Sequence, residues 1–410
     1  MPDRLFADLK DKTLLVITPD FPDEKNRYLG SIFVKEQIGY IKEYFREIIV
    51  ISPVPFSLGR IASDRYCSDY QYDNVSVHYP RSFFLPRIVP GLSYRRKLDF
   101  DRRPHSIVKY IKEHFLKFDL IHAQFTWPSA YCAALLKEQY RVPYVITPHE
   151  DPGWLKEEID LNDARMERAW ADADQIMYMN SLEVSKLKKY NPKTISVPNG
   201  FHPRFYPRDI QECREHLKLS ANSRILFTFG NLQKRKGIEY LIDAMNIVTG
   251  TRDDVICYIG GKAEYEKGYE AFLRKRVSDL NLGDRIHFIG LLKTEDIPLW
   301  LNACDLFVLP SLEEGFGIAQ IEALACGKPV IAAKNSGSQD ILTDPDVGIL
   351  CERADSADFA RGIMEGLARS WDRGKIATFA AKYRGKNIAR TVLSVYQDVL
   401  TKEVADESRF

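Results

Sequence analysis

The sequence predicts an α/β protein made of two doubly wound, Rossmann-like domains. Three observations predict it. Short apolar runs of strand length alternate with longer amphipathic stretches, the pattern of a parallel sheet covered on both faces. The alternation restarts near residue 224, after the Pro- and Gly-bearing segment VPNGFHPRFYPRD at Val197–Asp209. The chain is 410 residues long, which at roughly 150 residues per domain suits two or three domains.

The elements follow in order. Leu14–Thr18 (LLVIT) reads as a buried strand, and Gly30–Phe45 carries helical spacing through Ile32, Phe33, Ile38 and Ile41. Ile48–Ile51, Leu120–Ala123, Tyr144–Thr147, Gln175–Met179 and Thr194–Val197 read as further strands. The second run opens with Arg224–Phe229 as strand and Gly237–Val248 as helix. Val255–Gly260, Ile286–Ile289, Leu306–Leu309 and Val330–Ala333 continue the strands, with Gly317–Cys326 a helix between the last two. Ile376–Leu400 is helical again. The expected domains are residues 1–198, residues 199–375, and a terminal segment 376–410 returning to the first domain. Two such domains imply a cleft, with ligands at the carboxyl ends of the strands.

Composition narrows the function. Lys+Arg 58 against Asp+Glu 57 leaves a net charge of +1, so no bulk field attracts nucleic acid. The seven cysteines show no CxxC spacing, which points to free thiols in a reducing compartment and to no structural zinc. The charged start MPDRLFADLKDK does not resemble a signal peptide, and no apolar run is long enough to span a membrane, so a cytoplasmic location is expected.

The loops after strands carry the chemistry. Pro310–Gly327, PSLEEGFGIAQIEALACG, follows the strand LFVL. Glu314 and Glu322 are eight residues apart, and Gly315 and Gly317 flank Phe316 at a helix start, where free N–H groups favour an anion. A carboxylate one to two turns in, at Glu322, suits ribose hydroxyls; the competing reading is a tight turn with solvated acids. FGNLQKRKG, Phe229–Gly237, brings Lys234, Arg235 and Lys236 to the same kind of strand-to-helix turn, which fits a departing diphosphate or an ordinary basic surface loop. In YVITPHED, His149 lies just beyond a strand, facing the cleft or else capping the next helix. Gly30 and Ser31 precede the first helix, and His122 sits near a strand end in FDLIHAQF, where a structural role is the commoner one.

Taken together these positions resemble glycosyltransferase family 4, the retaining nucleotide-sugar transferases of the GT-B fold. EGFGIAQIE, Glu314–Glu322, is similar to the family's E-x7-E motif, FGNLQKRKG to its G-R-L-x-x-x-K-G turn, and VPNGF to its V-P-N-G-V-D hinge. The resemblance implies that Lys236 holds the donor diphosphate, that Glu322 binds the donor ribose and that Glu314 contacts the transferred sugar. It places Phe316, Gly317 and Ile318 as backbone donors, His149 near the sugar and the acceptor, and Gly30 and Ser31 in a loop over the phosphates. Gly230 opens the cationic turn; Asn231 stands where the family usually has arginine, and Lys234 or Arg235 is left to replace that charge.

The implied reaction moves a sugar from a nucleoside-diphosphate sugar to an acceptor hydroxyl in glycan, glycolipid or polysaccharide biosynthesis. Front-face attack would retain configuration, with no cofactor. No DxD-type metal triplet sits in the motif loops; the DFD, DAD and DPD triplets lie elsewhere, so metal independence is expected. A GT-B epimerase or sugar phosphorylase and an inactive sugar-nucleotide binding module are the alternatives. The acceptor is expected to be a saccharide or a lipid-linked glycan. Arg81–Arg103 alternates basic residues with Phe83, Phe84, Leu85, Ile88, Val89, Leu92 and Tyr94, which suits peripheral contact with an anionic membrane or a loop packing its apolar side chains inward.

Overall fold

The structure, a computed structural model, describes residues 4–56, 62–84, 94–263, 266 and 268–407. The chain divides into two compact units, residues 1–198 with 388–410, and residues 199–387.

The first unit is built on β1 (Thr13–Ile17), β2 (Glu47–Ile51), β3 (Val54–Pro55), β4 (Tyr70–Tyr72), β5 (Val75–His78), β6 (Arg81–Ser82), β7 (Leu120–Gln124), β8 (Tyr144–Thr147), β9 (Gln175–Tyr178) and β10 (Thr194–Ser196). Its main sheet runs β10-β9-β8-β7-β1-β2-β5-β4. All neighbours are parallel except β4 against β5. Every residue of β1, β7 and β8 is buried, as expected of strands covered on both faces. The strand order reverses between β1 and β7, a switch point at which the loops after both strands diverge. The first helix is shorter than its spacing predicts, Ile32–Ile41, because the chain tightens into a 3-10 turn at Lys42–Tyr44.

The second unit holds β11 (Arg224–Phe229), β12 (Val255–Gly260), β13 (Ile286–Gly290), β14 (Leu306–Leu309), β15 (Val330–Ala333) and β16 (Gly348–Cys351). Its all-parallel order, β13-β12-β11-β14-β15-β16, is the Rossmann order, with the switch point between β11 and β14. β5 and β16 are strands the apolar runs do not announce: VSVH is half polar, and GILC is short and opens on glycine.

The terminal helix is not continuous from Ile376. Arg373–Ala380 belongs to the second unit, a 3-10 turn spans Ala381–Tyr383, and a separate helix runs Gly385–Glu407. The break has a physical cause. Phe201 donates its N–H to Tyr383 O (2.9 Å) and accepts from Gly385 N (3.0 Å), which pulls the backbone out of helical pairing. The chain enters the first unit at residue 388, later than expected. There Ile388, Val392 and Tyr396, four residues apart, join Leu393 and Val399 in the core formed by Leu14, Val16, Ile48 and Val50.

All seven cysteines are buried free thiols. Among the described residues no helix is long and apolar enough to cross a membrane. Residues 85–93 of the basic aromatic stretch lie outside the described residues. Its described part is not a uniform basic face: Lys97 and Leu98 are buried, Arg103 pairs with Asp101 and covers Phe84, and Arg95 donates to Leu161 O.

Leu393 is 1% exposed, so Leu393→Ala should destabilise the first unit by about 2–5 kcal/mol. Chemical denaturation followed by a fluorophore in that unit checks it; a loss under about 1 kcal/mol would contradict the packing described for the helix.

Candidate active site

The motif residues of the second unit converge at its switch point. Lys236 lies in the loop after β11 and Glu314 in the loop after the neighbouring strand β14. The two loops are tied through their backbones, Leu312 N donating to Arg235 O at 2.8 Å. Gly237 makes this approach possible. Its φ is +61°, and a Cβ there would lie 2.2 Å from Pro310 O, so any side chain would push the loops apart. Across the join Lys236 Nζ lies 2.5 Å from Glu314 Oε1, and Arg235 Nη1 lies 4.0 Å from Oε2.

Glu314 is buried. Burial alone raises its carboxyl, but the charges of Lys236 and Arg235 and the Lys236 hydrogen bond outweigh it and hold it below its ordinary value. The group is therefore a carboxylate at neutral pH, with cations beside it.

Phe316 is buried against Tyr383, ring centroids 5.7 Å apart. Gly317 is the N-cap of the Ile318–Ala325 helix in the left-handed region (φ 88°), and it offers no side-chain cap to the first N–H groups. Glu322 sits four residues after Ile318, on the same face of that helix. The loop is supported from below by Asn335, which donates to Ser311 O (2.8 Å), and by Gly337, where a Cβ would meet Phe316 O at 2.8 Å. Gly230 and Asn231 line a small recess with Lys236, Pro310 and Ser311. Gly230 N donates to Gly260 O (3.1 Å) and Gly261 N to Gly290 O (2.7 Å), so the ends of β11, β12 and β13 form a floor of backbone.

The remaining sequence-derived residues lie in the first unit, again at its switch point. Ser31, in the left-handed region at φ 43°, starts the Ile32–Ile41 helix and donates its hydroxyl to Asp20. Gly30 packs on the Tyr28 ring. His149 follows β8, its ring 4.6 Å from Phe33 and 5.0 Å from Phe125. It does not cap the next helix; Asp151 does, accepting from Trp154 N at 2.9 Å. Burial pushes the His149 imidazole down to about 3, with His122 adding to the effect, so it is neutral across the physiological range.

Two residues here escape the sequence motifs. Gln124 Oε1 lies 2.6 Å from His149 Nε2, and its amide nitrogen reaches His122. The signal was present in FDLIHAQF, since residues 122 and 124 share a strand face. Asp20, raised above its ordinary value by burial, holds Ser31; no motif marked it.

The DxD-like triplets are spent on internal partners. Asp101 holds Arg103 and the Trp127 indole, Asp174 holds Lys137 and Tyr144 N, and Asp346 holds Arg369.

His122 gives a stability prediction. It is buried and lowered to about 3, against about 6.5 unfolded. Below pH 6.5 the unfolded chain takes up a proton that the folded chain refuses. Stability from this group is full above about 6.5 and falls towards pH 3, by about 1.4 kcal/mol per pH unit. Urea unfolding at pH 7 and pH 5 should show a shallower loss in His122→Gln than in the parent; parallel losses would refute it.

Comparison with known proteins agrees with this geometry. The family model described as "Glycosyl transferases group 1" matches residues 209–382, and "Glycosyltransferase Family 4" matches residues 65–205. N-acetyl-alpha-D-glucosaminyl L-malate synthase of Bacillus anthracis is 27% identical over 386 residues, covering 90% of this chain and 94% of its own. The GDP-mannose-dependent monoacylated alpha-(1-6)-phosphatidylinositol monomannoside mannosyltransferase of Corynebacterium glutamicum is 25% identical, covering 86% and 88%. Among solved structures, sucrose-phosphate synthase from Thermosynechococcus elongatus superposes with a TM-score of 0.75 at 21% identity, covering 95% of this chain and 100% of its own. Anabaena HepE, solved with UDP and glucose, gives 0.68 at 21% identity, covering 95% and 99%. The order of the two sheets, the loops at their switch points and both family matches lead to one conclusion: the chain belongs to glycosyltransferase family 4 and is a glycosyltransferase of the GT-B fold.

Proposed function

We propose that this glycosyltransferase transfers a sugar from a nucleoside-diphosphate sugar to the hydroxyl of a saccharide or lipid-linked acceptor, with retention of configuration and without a metal. The observation that carries the reading is the Lys236–Glu314 pair, set beside an uncapped helix start at the switch point of the second sheet. The related enzymes support the donor class: one is named for GDP-mannose, and HepE was solved with UDP. They differ in base and share the nucleoside-diphosphate class.

The roles follow from the chemistry of each group. Lys236 and Arg235 neutralise the diphosphate as it departs, and the Gly317–Ile318 backbone adds N–H donors to the same charge. Glu322 accepts from the ribose hydroxyls. Glu314, held as a carboxylate, faces the sugar as positive charge develops at its anomeric carbon. His149, neutral and lowered to about 3, is a poor base and serves as a hydrogen-bonding group. The acceptor proton therefore goes to the departing phosphate oxygen: the anomeric carbon–oxygen bond to phosphate breaks while the bond to the acceptor oxygen forms on the same face. The protein supplies position and electrostatics. Peripheral membrane contact of residues 81–103 belongs to the same proposal only as a route to a lipid-linked acceptor.

Lys236→Ala and Glu322→Ala should each weaken UDP or GDP binding by about 1.5–3 kcal/mol, the scale of a charge-assisted hydrogen bond, while Glu314→Ala mainly lowers kcat. Titration calorimetry with the two nucleotides checks this; wild-type affinity in both binding variants would sink the assignment. Activity should also survive EDTA, since Lys236 and Arg235 bring the positive charge that a metal would otherwise have to supply. Loss of activity with EDTA and its return with magnesium or manganese would reject metal independence.

A further inference from the structure

We propose that Gln124 is a positioning residue for His149, fixing the imidazole as its Nε2–H tautomer and leaving Nδ1 as an acceptor for a substrate hydroxyl. The inference rests on the reading of His149 as a sugar contact.

Gln124 ends β7 and is 1% exposed. Its Oε1 lies 2.6 Å from His149 Nε2, and a carbonyl oxygen can only accept, so the proton between them belongs to the imidazole. A neutral imidazole carries one N–H, and Nδ1 is then left with its lone pair. Phe33 and Phe125 flank the ring and hinder its rotation.

The amide is itself held from behind. Gln124 Nε2 lies 3.1 and 3.2 Å from the two ring nitrogens of His122. His122 is fixed between Tyr396 Oη at 2.6 Å and Thr147 Oγ1 at 2.7 Å. His122, Thr147 and Tyr396 are all buried, so each rotation would leave polar groups unpaired in a low-dielectric interior. The network thus runs from the terminal helix to the edge of His149. An acceptor-only Nδ1 selects for a hydroxyl and against a phosphate or carboxylate oxygen, which is the discrimination needed where sugar and diphosphate arrive joined.

Long-range proton–nitrogen correlation spectra of the full-length, nitrogen-15-labelled protein test the assignment, with the His149 signals identified by their loss in His149→Gln. The expected wild-type pattern has the proton on Nε2. Gln124→Met keeps the length and removes the acceptor; the two nitrogen shifts should move together as tautomers mix, and kcat should fall roughly ten-fold, with UDP and GDP affinity unchanged. Gln124→Glu keeps an acceptor oxygen beside the ring and should keep the proton on Nε2. If Gln124→Met does not fold, Tyr396→Phe, which loosens His122 at one remove, should show a partial shift in the same direction. A wild-type proton on Nδ1, or an unchanged pattern in the Met and Phe variants, overturns the proposal. Transfer at the wild-type rate in His149→Ala removes His149 from the sugar site, and the substrate half of the proposal with it, while the spectra still decide the tautomer.

Discussion

The geometry of the second unit depends on one close approach of backbone to backbone. The loops after β11 and β14 meet where the strand order reverses, and Leu312 N to Arg235 O pins them together. Lys236, Arg235 and Glu314 all hang from this join. Lys236 reaches Glu314 because the loops touch, and Gly237 is the residue that lets them touch. Once Glu314 is drawn inward, its burial would favour the neutral acid; the cations held beside it reverse that preference. A backbone constraint thus decides a protonation state.

The first unit repeats the plan with opposite electrostatics. Its switch point gathers aromatic rings and neutral imidazoles where the second gathers cations and a carboxylate. Burial lowers both histidines, and they work through hydrogen bonds at a pH where a solvated histidine begins to titrate. The Tyr396 hydroxyl is as much a part of this arrangement as any residue of the sheet.

Much of this was legible in the residue pattern, for reasons that can be named. Buried parallel strands have to be apolar on both faces, so LLVIT, YVIT, RILFTF and LFVL stood out. The EGFGIAQIE and FGNLQKRKG turns were legible because strand-to-helix turns that admit an anion need glycine and positive charge. What the pattern hid was tertiary. Gln124 is an ordinary polar residue until β8 is laid beside β7. Asp20 is an ordinary loop acid until burial and Ser31 act on it. The split of the terminal helix came from Phe201, nearly two hundred positions earlier in the chain, and local propensity carries no trace of such a partner.

The path of the chain has a further consequence for how the protein is made. The second unit is one uninterrupted stretch, 199–387, whereas the first is interrupted and takes residues from 388 onward. His122 and Tyr396 are 274 positions apart, and the core around Leu14 and Val50 stays open until Val392 and Leu393 arrive. During synthesis the usual order is reversed: the unit begun first is finished last. Until then the sheet, whose strands all lie before residue 197, carries an apolar face that the terminal helix has yet to cover, the kind of surface that chaperones hold.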